Sequence, residues 1–443
     1  VPGGLRGERL IKTGLISVAT SPPGAAIDID GRRQPLVTPA VLRNLKPGEY
    51  ALTISMPGHR PWSGRVPVEA ERAVTFEKIL LIPDAPEAHL VHAGPFRALR
   101  PMPGTPFVLV FRGPALKDAL VVDARNEKAR PLFSPDAVFA SAKLQSLHTI
   151  DGSDRLFVVA RTEGVTRYLW ARVEREETRV SDITHLFPEA PPEPRWDADR
   201  PEEIFFEVNG YLSRVHPESA AVYPKFLNGL KGFGLADGRL YAIEADGAFV
   251  RALRDGTDRE PAVEEPLPSA FLKGAGSRFR AENVARGAFL FLSDTGSLLS
   301  NLYPYELAER GVEGLVLDRA SRRALFWTRD SVGWADFSPE AEGLSAAEAR
   351  WVVRGGRRVT QAAWVYEGSH VLFTDRGRAY LVETGAPGKP RILELFGSRK
   401  DVPFAWVEEE GAAYHLDRKT GALVRTRLFR RPAILPLSKS RDE

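Results

Sequence analysis

Residues 204–212, IFFEVNGYL, and residues 240–249, LYAIEADGAF, have the same plan: an apolar run, a polar turn containing glycine, and the start of a second apolar run. Runs this short suit strands rather than helices, and glycine supplies the positive φ that a tight hairpin turn needs. The plan recurs in FVLVFRGPAL (107–116), LFVVARTEGV (156–165), FLFLSDTGSL (289–298), LFWTRDSVGW (325–334), VLFTDRGRAY (371–380) and FAWVEEEGAAY (404–414). The turn glycines are Gly113, Gly164, Gly210, Gly247, Gly296, Gly333, Gly377 and Gly411. Their mean step is about 43 residues, within the range of propeller blades. One blade cannot bury both of its faces, but blades stacked about an axis can, and closing the ring leaves only short edges. Eight copies predict an eight-bladed β-propeller over residues 89–443. The count becomes seven if two neighbouring motifs share a blade or the first copy only helps to close the ring.

Composition agrees with an all-β chain. Among 443 residues, 38 glycines and 35 prolines are spread along the sequence, punctuating many short elements. No cysteine is present, which removes disulfides, thiol nucleophiles and thiolate metal sites. The net charge is +3, and the basic pairs Arg32-Arg33, Arg357-Arg358 and Arg430-Arg431 are scattered, so a mixed surface is expected and no nucleic-acid partner. No apolar run is long enough to span a membrane as a helix. The chain opens at Val1 on a polar, glycine-rich lead (1–11), and a signal or membrane helix upstream of it is the expectation.

Residues 12–83 form a separate unit of short strands and tight turns. Ala26–Asp30 alternates apolar and polar, and Asp30-Gly31 is a hairpin signal. Read as a calcium loop from Asp28, the stretch puts Arg33 at the sixth position and Pro39 at the twelfth, where glycine and glutamate are required. Lys46-Pro47-Gly48-Glu49 makes another turn, and the strands suit a compact sandwich. A proline-rich linker, 84–88, follows.

The order of these segments resembles the PEGA domain family. The family's Pro-Glu-Gly-Ala turn is matched by Pro22, Pro23, Gly24 and Ala25, with proline in place of glutamate. Asp30, Gly31, Thr38, Pro39, Pro47, Gly48, Tyr50, Gly58 and Trp62 follow in the family's order. The resemblance implies a small β-sandwich in an extracytoplasmic protein, periplasmic or at the cell surface, tethered by an N-terminal membrane helix.

Chemistry is sparse. There is no nucleophile elbow, P-loop or dinucleotide fingerprint, so no cofactor is expected. Only His89 and His92 lie close together in sequence, and no third ligand is near, so no metal is expected either. Glu207, Glu244, Asp294, Asp330 and Asp375 fall in or before blade turns. A ring could gather them at its mouth, which would suit a glycoside hydrolase or lyase, but turn formation is the plainer role for the aspartates and a solvated strand end for the glutamates. Trp196, Trp334, Trp364 and Trp406 are candidate platforms for sugar or peptide, with packing between blades as the alternative. Residues 187–200 read as a long inter-blade loop, and residues 338–350 as a short capped helix. The expected function is non-catalytic binding or scaffolding, with a protein or a cell-envelope glycan as the partner. A glycan-active enzyme and a surface-layer component are the alternatives.

Overall fold

The computed structural model describes residues 12–187, 193–197, 200–263, 267, 278–337, 348–355, 357–385 and 391–430. The first unit is a sandwich of two sheets. β1 (Gly14–Ser21) lies between β4 (Ala40–Leu45) and β7 (Ala73–Leu80), pairing antiparallel with the first and parallel with the second. β2 (Ala26–Ile29), β3 (Arg32–Val37), β5 (Gly48–Ser55) and β6 (Trp62–Val68) form the other sheet in the order β3-β2-β5-β6. Alternate residues Ile27 and Ile29, Leu52 and Ile54, and Val66 and Val68 face Ile16 and Val18 across the core. Asp30 and Gly31 both take positive φ at the β2–β3 turn, as a two-residue hairpin requires. The Pro22–Ala25 turn is fixed by buried Thr38, whose Oγ1 accepts the Ala25 N–H at 3.0 Å while its carbonyl accepts the Gly24 N–H at 2.7 Å. The Tyr50 hydroxyl donates to the Lys46 carbonyl at 2.8 Å and closes the Pro47-Gly48 turn.

The second unit is a closed ring of eight blades. Seven are continuous along the chain: residues 98–131, 143–182, 195–227, 230–261, 279–308, 312–353 and 359–397. The eighth takes three strands from the C-terminal end (405–427) and its outermost strand, β8 (Glu87–His92), from the other end, with Arg425 opposite His89. The propeller therefore begins inside the 84–88 linker rather than after it. Its first strand belongs to the last blade, so ring closure joins residues more than 300 positions apart. One apolar cluster fills each gap between neighbouring blades, including the last: Tyr414 and Leu416 of blade 8 pack on Val108 and Val110 of blade 1.

Five of the turn glycines, Gly164, Gly210, Gly247, Gly296 and Gly377, take positive φ between the second and third strands of their blades. The other three depart from that expectation. Gly113 and Gly333 are not in positive φ, and Gly333 lies inside a strand, against the Phe326 ring. Gly411 turns the first strand of blade 8 into the second, and Gly421 holds the equivalent turn. Of the 338–350 stretch, residues 338–347 lie outside the described residues, and the remainder opens the strand Glu348–Val353 instead of ending a helix. Of the 187–200 stretch, residues 188–192 and 198–199 lie outside the described residues. Arg195 bridges Phe205 as the inner edge of blade 3, so the stretch is not simply a loop.

The alternation of strands gives the ring two faces. The turns between second and third strands and the crossovers between blades share one face, called upper here. The turns between first and second, and third and fourth, strands share the lower face. The sandwich docks on the lower face at blades 7 and 8. Leu80 and Ile82 enter the blade 7–8 core beside Val365 and Phe429. The Trp62 indole donates to Glu383 at 2.7 Å, and Lys78 pairs with Glu367 at 3.3 Å.

Candidate functional site

Away from the docked sandwich, two neighbouring concave regions open on the lower face. Blades 4 and 5 touch along their inner strands, where Gly232 pairs in parallel with Phe279 and Phe233 with Arg280. The absence of side chains permits this: a Cβ on Gly232 would lie 1.9 Å from the Phe279 carbonyl oxygen, and one on Gly234 2.0 Å from that of Ala281. Below this contact the blades splay into a cleft of about 1310 Å³. Tyr241, Arg251, Asn283 and Phe289 line its walls, with Arg286 at its edge. Tyr303 and Tyr305, 66% and 45% exposed, meet edge to face with centroids 6.2 Å apart. Burial raises the Tyr241 phenol above its ordinary range, with Asp237 adding to the shift.

The axial mouth beside it holds about 370 Å³, lined by His148, Glu193, Arg195, Arg280, Glu282 and Arg319. Glu282 holds Arg280 at 3.0 Å and Arg319 at 4.0 Å. Arg195 lies over the Phe233 ring at 5.4 Å and donates to the Phe233 carbonyl at 3.3 Å. Loss of solvent pulls its guanidinium down to about 10, with the like charge of Arg280 acting in the same direction. Glu282 and Asn283 are consecutive on one strand and line the mouth and the cleft respectively, so the two regions are neighbours.

The tryptophans are not surface platforms. Trp196 is buried edge-on against Trp170, its indole donating to Ser153 at 3.1 Å. Trp334 is buried between blades 6 and 7 beside Trp364, whose face is covered by Arg323 at 4.7 Å. Trp406 is half-buried against Phe429 and donates to Glu408 at 2.6 Å. Tryptophan identity alone does not distinguish a rim from an inter-blade seam. The exposed Tyr303 and Tyr305 flank Pro304, and that turn-forming context was the available signal.

The five carboxylates do not converge. All lie on the upper face in separate turns. Glu207 accepts the Gly210 N–H at 2.6 Å, and Glu244 pairs with Arg259 at 3.0 Å. The Asp294 N–H donates to the Arg278 carbonyl at 2.9 Å. Asp330 is held below the usual carboxylate range by the hydroxyls of Ser331 and Thr328, and Asp375 accepts from Arg357 and the Arg358 N–H. His89 lies 3.3 Å from Glu127, and no group of metal-ligating side chains occurs among the described residues.

The ring and its docked sandwich define a two-domain β-propeller protein. Its sandwich is a PEGA domain, the family matching over residues 13–81. No curated protein sequence matches the chain. Solved structures similar to it include YCF48 from Cyanidioschyzon merolae, at 11% identity over 77% of this chain and 98% of that one, with a TM-score of 0.39. The C-terminal WD40 domain of Sif2 aligns at 11% identity over 62% and 93%, with a TM-score of 0.31. PorZ, a surface component of the type-IX secretion system of Porphyromonas gingivalis, aligns at 10% identity over 77% and 40%, with a TM-score of 0.35. Likeness at this level concerns the fold alone, and the ring stands on its own strand pairing and inter-blade cores.

Proposed function

We propose that this is an extracytoplasmic, non-catalytic binding protein whose propeller holds an extended segment of a partner protein in the blade 4–5 cleft. The observation that carries the reading is the cleft itself: a large recess between two rigid blades, rimmed by exposed Tyr303 and Tyr305. Tyrosine gives wide contact area at low entropic cost and is enriched where proteins bind one another. Two rings meeting edge to face leave a notch suited to a proline or aliphatic side chain rather than one flat sugar platform. The extracytoplasmic placement is supported by the general occurrence of PEGA domains in extracellular or periplasmic proteins. In this reading the docked sandwich braces the propeller and sets which face is presented.

A photo-crosslinking amino acid at position 305, activated in cells, tests it. A discrete protein adduct that disappears with Tyr303→Ala supports the reading. No adduct, or one indifferent to Tyr303, overturns it. Specific binding on a glycan array that Tyr303→Ala abolishes would replace the protein by a glycan, and release of products from such a glycan would end the non-catalytic reading.

A further inference from the structure

The basic residues that are scattered in sequence are gathered by the ring. On the upper face of blades 6, 7, 8 and 1, successive turns and crossovers are joined by hydrogen bonds into one continuous arc. Val359 donates to the Arg329 carbonyl at 2.7 Å, Ser398 to Gly377 at 2.8 Å and Arg399 to Leu416 at 2.9 Å. Phe96 donates to Gly421 at 2.8 Å and Arg97 to Phe111 at 2.7 Å. Each link brings cations with it. Blade 6 and its crossover carry Arg329, Arg354 and Arg358; blade 7 and its crossover add Arg376 and Lys400. Blade 8 adds Arg418 and Lys419, and Arg97, Arg112 and Lys117 continue the arc to blade 1. All of these side chains are exposed.

The acids on the same arc, Asp118, Asp136, Asp330, Asp375, Asp401 and Asp417, are fewer than the ten cations, so a net positive charge remains, and most of them also build the turns. Asp417 accepts the N–H groups of Lys419 and Thr420 at 3.0 and 2.7 Å, and Asp118 accepts that of Ala115 at 3.3 Å. Asp375 takes Arg357 and the Arg358 N–H and lies 3.9 Å from Arg376, Asp330 takes Ser331 at 2.8 Å, and Asp401 stands 3.8 Å from Arg358. The same face across blades 3 to 5 lacks this excess: its turns carry Glu207, Glu244, Asp246 and Asp294, with Glu207 3.5 Å from Arg278 and Glu244 3.0 Å from Arg259. The modest net charge of the chain thus hides an uneven distribution of cations over this face.

We propose that this basic arc binds an acidic polysaccharide, a polymer bearing one negative charge on each repeat. Cations return at each blade, so the surface repeats as such a polymer does. Arginine predominates, and its planar fork suits carboxylates. Among the described residues the arc exposes one large apolar side chain, Val138 at its blade 1 end, and Trp351 is half-buried under Arg354, which leaves little apolar surface to enter a membrane interface or anchor a protein partner. The arc lies on the face opposite the blade 4–5 cleft and does not rest on the reading of that cleft.

The test uses the full chain and polygalacturonate as the probe. The combined variant Arg354→Ser, Arg376→Ser, Lys400→Ser and Arg418→Ser is compared with a control, Lys231→Ser with Arg278→Ser, on the other sector of the same face. Circular dichroism and melting show that both fold. The wild type and the control should bind, with affinity falling about tenfold or more between low and physiological salt as screening sets in. The four-residue variant should lose at least about tenfold at low salt, the cost of a few charge-assisted contacts. Equal binding by all three proteins overturns the proposal. So does equal binding of neutral dextran. Full displacement by duplex DNA or polyglutamate at equal charge assigns the arc to another polyanion and overturns the polysaccharide.

Discussion

Acidification from pH 7.5 to 5 should destabilise the propeller through two histidines buried within it. His370 begins the second strand of blade 7, 3% exposed, its Nδ1 2.9 Å from the Ser369 hydroxyl. His415 in blade 8 is 4% exposed, stacked on Phe396 at 4.2 Å, with Nε2 3.0 Å from the Thr426 hydroxyl. Burial pushes the first down to about 3 and the second down to about 4, both from 6.5. Below 6.5 the unfolded chain takes up protons that the folded chain refuses, so stability falls with pH and the loss accumulates toward the folded values. At pH 5 the unfolded rings are almost fully protonated and the folded ones almost neutral. Each histidine then costs about 2 kcal/mol, and the pair about 4 kcal/mol. Urea unfolding of the wild type and of the His370→Gln, His415→Gln variant at both pH values isolates the contribution, since other titrating groups are common to both. The wild type should lose about 4 kcal/mol more than the variant over the interval. Equal losses would refute the reasoning.

Further outcomes follow from the packing. Gly234→Ala places a methyl group against the Ala281 carbonyl and should cost about 1–3 kcal/mol in urea unfolding, whereas Gly397→Ala, which meets nothing within 4 Å, should be near neutral. Glu383 is held above the usual carboxylate range by burial, with the Trp62 indole and Arg391 pulling the other way. The folded chain therefore keeps its proton to higher pH than the unfolded one, and this group alone favours the docked sandwich more at mildly acidic than at neutral pH. Trp62→Phe leaves that carboxylate without its indole donor and should cost about 1–3 kcal/mol, read as faster proteolysis near Asp84–Pro86.

Much of the architecture is legible in the sequence because its signals are local. An apolar run, a turn with glycine and a second run fit within ten residues, and Asp30-Gly31 or Pro47-Gly48 needs no distant partner. What stays hidden depends on residues far apart in the chain. β8 mixes polar and apolar residues and acquires its role only beside Arg425 and Val424, so in sequence it reads as the tail of a linker. The register of blade 8 is ambiguous because Glu408–Gly411 resembles a hairpin turn as closely as Asp417–Gly421 does. Trp196 and Trp334 carry no mark of burial in their own segments; Trp170 and Trp364, from other strands, cover them. The basic arc is diluted for the same reason: Arg358, Lys400, Arg418 and Arg97 become neighbours only when the ring closes.

Closure is most directly tested in this cysteine-free chain by Leu90→Cys with Val424→Cys, residues that face one another across the joint of blade 8. Mild oxidation should link the two within one molecule, nearly completely and at any protein concentration, with a mobility shift that reductant reverses. Free thiols, or links formed only between molecules, would mean that the two ends of the propeller do not meet.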